Sequence, residues 1–123
     1  MNVTQFSRPM RLARDRIGIG TITDYGYETP WATGRIEFLD PARAETCEQC
    51  VEFERWLAET DDLPEDDAQY DAACAREATR RGLTPADLDL FHSGAWTITT
   101  DDGDIHDVPS LEFLGDGYAQ WRW

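Results

Sequence analysis

The spacing of apolar residues changes twice along this chain, and that change constrains the fold more than any other feature. In the first part, apolar and polar residues alternate, as Ile36 and Phe38 do with Arg35 and Glu37. The middle of the chain follows helical spacing, and alternation returns from Ser93 onwards. Alternation is typical of strands, whereas helical spacing gives one apolar stripe along a helix. The order of strands, helices and strands predicts an α+β fold with an antiparallel sheet.

The N-terminal alternation predicts a β-hairpin. Residues 16–25 and 32–39 are its predicted strands, and residues 26–31 are the predicted loop between them. The first strand contains Gly18 and Gly20, and glycines inside a strand often accompany a bulge or the close approach of another backbone.

Capping residues mark the helical part of the chain. Asp40 is suited to cap a helix that has Pro41 in its first turn, and this helix is predicted to end near Thr60. A second helix and a short helical turn are predicted before strands return at residues 93–123. The predicted fold is therefore an antiparallel sheet from an N-terminal hairpin and three or four C-terminal strands, packed with two or three central helices. We expect residues 1–123 to form a single domain.

The charge of the chain narrows the choice of partners. There are 25 acidic residues against 11 basic ones, all of them arginine, and the net charge is −14. Such a charge repels a nucleic-acid backbone and an anionic membrane, so we expect direct binding to neither. A protein with a basic surface is attracted instead. The acidity also has an explanation outside function, because a GC-rich genome or a high-salt cytoplasm favours the same composition.

Two features predict where the protein resides. Residues 1–16 contain arginines but no apolar stretch long enough for a secretory leader, and no run of residues approaches a membrane span. The three cysteines are an odd number, which indicates reduced thiols rather than a disulfide framework. We therefore expect a cytoplasmic protein.

The cysteines offer one candidate metal site. Cys47, Cys50, Cys74 and His92 make a possible set of zinc ligands, and the first two have the usual close spacing. The sequence lacks a second close pair, and small thiols packed between two helices explain the same residues. Glutamates surround the first two cysteines inside the predicted helix, which disfavours a redox function. The sequence therefore predicts no cofactor, with zinc as the alternative.

No pattern in the sequence identifies a reaction. Neither His92 nor His106 has a nucleophile at a spacing that is typical of hydrolases. The segment from Gly18 to Gly20 lacks the third glycine and the following helix of a dinucleotide-binding loop. We therefore predict a protein that is not an enzyme.

Aromatic residues and a run of carboxylates form the candidate binding site. Tyrosine and tryptophan are frequent anchors of protein interfaces, and three of them, Tyr25, Tyr27 and Trp31, lie in or beside the predicted hairpin loop. The most acidic stretch of the chain follows the first predicted helix. The predicted partner-binding residues are Tyr27, Trp31, Asp61, Asp62, Asp66 and Asp67.

Two segments resemble parts of small uncharacterised bacterial proteins. They are DYGYETPW at residues 24–31 and DGYAQWRW at residues 116–123. In overall type the chain also resembles immunity proteins of bacterial toxin systems, which are small, acidic, rich in tryptophan and without a catalytic motif. That resemblance implies a protein that acts by occupying its partner, and it assigns no residues.

Two functions follow as alternatives. The first is a protein that binds and occupies a basic protein partner, as an inhibitor or an immunity-type protein does, through its carboxylates and an aromatic anchor. The second is a small-molecule or zinc-binding domain, which would use a pocket near Trp31, Glu28 and Tyr27 or the cysteine–histidine set. The oligomeric state stays open.

Overall fold

The fold is α+β, as the sequence predicts. The structure is a computed structural model and describes residues 8–123. Residues 8–123 form three helices and one seven-stranded antiparallel sheet. The prediction that residues 1–16 contain no secretory leader falls partly on residues 1–7, which lie outside the described residues.

The elements follow one another as three strands, three helices and four strands. The strands are β1 (Met10–Arg14), β2 (Ile17–Glu28), β3 (Trp31–Phe38), β4 (Trp96–Thr99), β5 (Ile105–Asp107), β6 (Glu112–Gly115) and β7 (Tyr118–Trp121). The helices are α1 (Pro41–Glu59), α2 (Asp67–Arg80) and α3 (Pro85–His92). The C-terminal strands and the helices agree in number with the prediction, whereas the N-terminal part has three strands instead of the two of a hairpin.

Strand β1 is the element that the sequence did not predict. Met10 and Leu12 are buried and Arg11 between them is exposed, so the strand does alternate. The turn into β2 consists of Asp15 and Arg16, which both have positive φ, at 49° and 68°. Hairpin turns with this backbone usually contain glycine or asparagine. An Asp–Arg pair therefore gives no turn signal, and the sequence does not predict the strand before it.

Most of the predicted hairpin loop is strand. β2 continues to Glu28 and β3 begins at Trp31, so only Thr29 and Pro30 remain as the turn. Pro30 sits where no ladder hydrogen bond needs its missing N–H. The predicted irregularity beside the strand glycines is confirmed, because the β1–β2 register shifts opposite Gly18 and Gly20.

The sheet is curled. Its strand order is β5-β4-β1-β2-β3-β7-β6, so β5 and β6 are the two edges. In a flat sheet these edges would be about 29 Å apart, at roughly 4.8 Å per strand. The connection from β5 to β6 has only residues 108–111, which span at most about 18 Å when fully extended. The edges must therefore approach each other, and the sheet encloses an interior.

The buried residues form two clusters. The sheet cluster lines the interior of the curled sheet and consists of Met10, Leu12, Ile19, Ile22, Ala32, Ile36, Trp96, Ile98, Val108, Ala119 and Trp121. The helix cluster consists of Cys47, Cys50, Phe53, Ala78, Leu83 and Phe91. Phe38 and Phe113 pack against both clusters and join them.

Helix α1 is fixed to the sheet at its N-terminal half. Asp40 caps it by accepting a hydrogen bond of 3.0 Å from the backbone N–H of Ala42. The carboxylate of Glu48 accepts hydrogen bonds from the backbone N–H groups of Asp116, at 3.1 Å, and Gly117, at 2.9 Å. These bonds attach α1 to the β6–β7 turn and bring the helix alongside β6. None of the helices within residues 8–123 is long and apolar enough to cross a membrane.

Candidate functional site

The two aromatic residues of the predicted site lie on opposite faces of the β2–β3 hairpin. Tyr27 pairs with Ala32, which is fully buried, whereas Trp31 pairs with Glu28, which is exposed. Directly paired residues point to the same side of a sheet. Tyr27 is accordingly half-buried and packs against the sheet cluster. The structure therefore does not bring Tyr27 and Trp31 together in one pocket.

Trp31 is the exposed member of the two. Its exposed fraction is 37%, and the guanidinium of Arg122 lies 5.7 Å from the centre of its ring. That distance is within the range of a cation–π contact. Trp31 therefore presents a large apolar surface that is already held in place by a neighbour.

The predicted acidic residues lie on the connection between α1 and α2. Asp61 and Asp62 follow the end of α1 and are exposed. Asp66 is the N-cap of α2 and accepts a hydrogen bond of 3.0 Å from the backbone N–H of Gln69. Asp67 is exposed in the first turn of the same helix, where a carboxylate is favourable.

The carboxylates around this connection have no arginine to neutralise them. Residues 59–71, the acidic segment, contain seven acidic residues and no basic one. All seven are exposed: Glu59, Asp61, Asp62, Glu65, Asp66, Asp67 and Asp71. None of them takes part in an ion pair within the part of the chain that the structure describes. The segment also carries the ring of Tyr70, which is 38% exposed.

The candidate zinc ligands are not assembled into a metal site. Cys47 and Cys50 are buried in the helix cluster, and Cys74 lies half-buried on α2. His92 is exposed, and its Nε2 atom lies 3.0 Å from a carboxylate oxygen of Glu54. Across residues 8–123, no three His, Cys, Asp or Glu side chains are grouped closely enough to hold a metal ion.

We expect Cys74 to be the first thiol to react when the folded protein meets a disulfide reagent at pH 8. Burial raises the pKa of Cys47, and burial with the carboxylates of Asp87 and Glu54 raises the pKa of Cys50 to about 11. A pKa near 11 leaves roughly a thousandth of a thiol as reactive thiolate at pH 8. Reaction with Ellman's reagent should therefore release one equivalent quickly, and three after unfolding in urea.

The control for this measurement is Cys74→Ala, which should abolish the fast phase. Equal rates for all three thiols would contradict the burial of Cys47 and Cys50.

The raised pKa values of Cys47 and Cys50 also affect the stability of the fold at alkaline pH. Unfolded thiols lose their protons near their ordinary pKa, whereas folded Cys50 keeps its proton up to about pH 11. The free energy of unfolding should therefore fall as the pH rises through this interval.

A cleft that the sequence did not predict lies between α1, the end of α3 and the edge strand β6. Its volume is about 630 Å³. The wall consists mainly of apolar side chains, and polar groups stand at several points around it. Its lining residues include Cys47, Cys50, Glu54, Arg55, Phe91, His92, Trp96, Glu112 and Phe113. A volume of this size is within the range of small-molecule sites.

The aromatic residues at the end of the chain belong to the core. Trp121 is fully buried, and Trp123 is half-buried with its Nε1 donating a hydrogen bond of 2.8 Å to the hydroxyl of Tyr25. The ring of His106 meets Trp123 edge-on at 5.0 Å. Within the described residues, Nε1 of Trp121 and Nε2 of His106 are buried without a hydrogen-bond partner. Trp121 therefore belongs to the sheet cluster, and Trp123 packs against that cluster at its margin.

The protein thus has an α+β fold with a curled sheet, an acidic segment without ion-pair partners within residues 8–123, and a cleft beside one edge of the sheet. No family model matches the chain, and neither a curated protein nor a solved structure matches it.

Proposed function

We propose that this protein binds a basic surface of another protein and acts by occupying it, as an inhibitor or an immunity-type protein does. The observation that carries the proposal is the acidic segment, where seven exposed carboxylates have no ion-pair partner within residues 8–123. Like charges held this closely repel one another, and the lysines and arginines of a partner would relieve that repulsion. Complementary charge also accelerates association.

The position of the arginines supports a local function for this charge. Arg55 and Arg76 are the nearest basic residues in sequence on either side of the acidic segment. Arg55 lies 2.7 Å from Glu52, so it is already paired outside the segment. A composition bias alone spreads acidity over the whole surface, whereas residues 59–71, with seven acidic residues and no basic one, carry half of the net charge of −14.

Exposed aromatic rings supply candidate anchors for the interface. Tyr70 lies within the acidic segment, and Trp31 lies at the tip of the β2–β3 hairpin. Tyrosine and tryptophan contribute much of the binding energy at the centres of interfaces. Tyr70 replaces Tyr27 in this proposal, because Tyr27 faces the sheet cluster.

Replacing four aspartates of the acidic segment with asparagine is expected to weaken partner binding by about a hundredfold. The four are Asp61, Asp62, Asp66 and Asp67. Asn keeps the cap of α2, since it serves as well as Asp at an N-cap. Most of the loss should lie in the association rate, and binding should become less sensitive to salt. The measurement is surface plasmon resonance at several salt concentrations, with the partner isolated from host lysate on the native chain at low salt.

The matched control neutralises four exposed carboxylates outside the segment: Glu37, Glu45, Asp104 and Asp107. It changes the net charge by the same amount and should weaken binding less than tenfold. Equal losses in the two variants would mean that only the overall charge matters. Unchanged affinity in the acidic-segment variant would remove the mechanism.

A further inference from the structure

We infer that the cleft between α1 and β6 is a binding site for an organic cation with an apolar body, such as an arylalkyl amine. The inference takes up the small-molecule alternative at a place that the sequence did not indicate. It does not depend on the proposed protein partner, because the acidic segment and the residues that line the cleft do not overlap.

Three aromatic rings form a fixed wall for the apolar body of the ligand. Phe113 meets Phe91 edge-on at 5.3 Å and Trp96 edge-on at 5.4 Å between ring centres. Phe91 and Trp96 are both buried, so their positions are set by the core. Rings held this way lose little freedom on binding, which lowers the entropic cost of holding a ligand.

Carboxylates supply the charge that selects a cation. Glu54 and Glu112 both line the cleft, and Glu54 is oriented by His92 at 3.0 Å. Arg55 is the only arginine among the lining residues, and its guanidinium lies 2.7 Å from Glu52. With Glu52 included, three carboxylates lie at or beside the cleft against one guanidinium, which is already paired with Glu52.

The electrostatic field of the whole protein also favours a cationic ligand. With a net charge of −14, the protein attracts cations and repels anions before they reach the cleft. Glu54 and the three rings line the same cleft, and aromatic rings attract cations when desolvated. An anionic ligand would have to displace Glu52 from Arg55, and the net negative charge of the protein would repel it.

Three probes of similar shape test the ligand class: phenethylamine, 2-phenylethanol and 3-phenylpropionate. Titration is followed by two-dimensional ¹H–¹⁵N NMR, in which Trp96 provides the indole signal that reports on the cleft. The amine should shift this signal and the amides of Cys47, Cys50 and Phe113. It should bind about tenfold more tightly than the alcohol, and the acid should bind most weakly.

The variant Glu54→Gln should weaken amine binding about fivefold and leave alcohol binding unchanged. Glu45→Gln removes the same charge from α1 outside the cleft and should have less than a twofold effect. Both glutamates are exposed, so neither variant threatens folding.

Three outcomes would overturn the inference. They are equal binding of amine and acid, unchanged amine affinity in Glu54→Gln, and shifts by the amine that are confined to residues 59–71. The last would assign the effect to the general attraction of the acidic segment. The acidic-segment variant separates the two proposals, because at physiological salt it should bind the amine as the native chain does.

Discussion

Replacing Gly20 with alanine is expected to lower the free energy of unfolding by about 3 kcal/mol or more, a larger cost than most overpacking substitutions. A Cβ atom at this position would lie 2.5 Å from the carbonyl oxygen of Glu37 and 3.1 Å from its carbonyl carbon. Both contacts are with the backbone of β3, which cannot rotate away as the end of a flexible side chain can.

The backbone at this point is held on both sides of the clash. Gly20 pairs with Phe38 in β3 and with Leu12 in β1, and Ile19 accepts a hydrogen bond of 3.0 Å from the backbone N–H of Leu39. Moving β3 away would break this ladder beside the start of α1. Unfolding in urea, followed by circular dichroism, measures the loss, and we expect the melting temperature to fall by about 10 °C.

Gly18 provides the matched control two residues earlier in the same strand. There the added Cβ would meet only Cδ1 of Leu39, at an ordinary distance of 3.5 Å. Gly18→Ala should leave stability unchanged or raise it by about 0.5 kcal/mol, because alanine has less freedom to lose on folding. Similar stabilities for the two variants would mean that β2 and β3 are farther apart at Gly20 than the structure shows.

The elements with local signals could be predicted from the sequence. Asp40 and Pro41 mark the start of α1, and Thr84 with Asp87 marks α3 through a reciprocal capping box. These signals depend on a few neighbouring residues, so they survive without knowledge of the fold. Strand β1 had no such signal, because the Asp15–Arg16 turn lacks the residues that its backbone usually requires.

The curled sheet depends on pairings that no local pattern contains. β1 pairs with β4 across the whole helical region, and β3 pairs with β7 near the end of the chain. The cleft depends on the same long-range assembly, since it joins α1 to residues 91–96 and 109–114. Each part of its wall looks like an ordinary helix or strand in the sequence. Only the closure of the sheet onto α1 brings them together as the wall of a cleft.

The acidic segment and Tyr27 show the difference between composition and geometry. The exposure of Asp61 and Asp62 could be predicted, because unpaired carboxylates are almost never buried. The direction of Tyr27 could not, because it depends on where β2 ends. With β2 continuing to Glu28, Tyr27 takes the inner face and Trp31 the outer.

Trp121→Ala is expected to lower the free energy of unfolding by about 4 kcal/mol, within the usual range for removing a buried tryptophan side chain. Trp121 is the largest fully buried side chain and packs with Tyr25 and Trp123 inside the curled sheet. A Cβ atom on Gly34 would lie 3.2 Å from its ring, so the neighbouring backbone is shaped around it. Urea unfolding followed by circular dichroism, rather than tryptophan fluorescence, measures the loss without a change of probe.

Trp121→Phe separates the packing of this ring from the cost of its N–H group. Nε1 of Trp121 has no hydrogen-bond partner within residues 8–123, and an unpaired buried donor costs about 1–3 kcal/mol. Phenylalanine keeps much of the ring and removes that donor, so its loss should stay below about 2 kcal/mol, less than the cost of a full truncation. Trp31→Ala, at an exposed ring, should cost about 1 kcal/mol, chiefly the contact with Arg122. If Trp121→Phe costs as much as Trp121→Ala, the N–H group has a partner such as an internal water, and the interior of the sheet is hydrated.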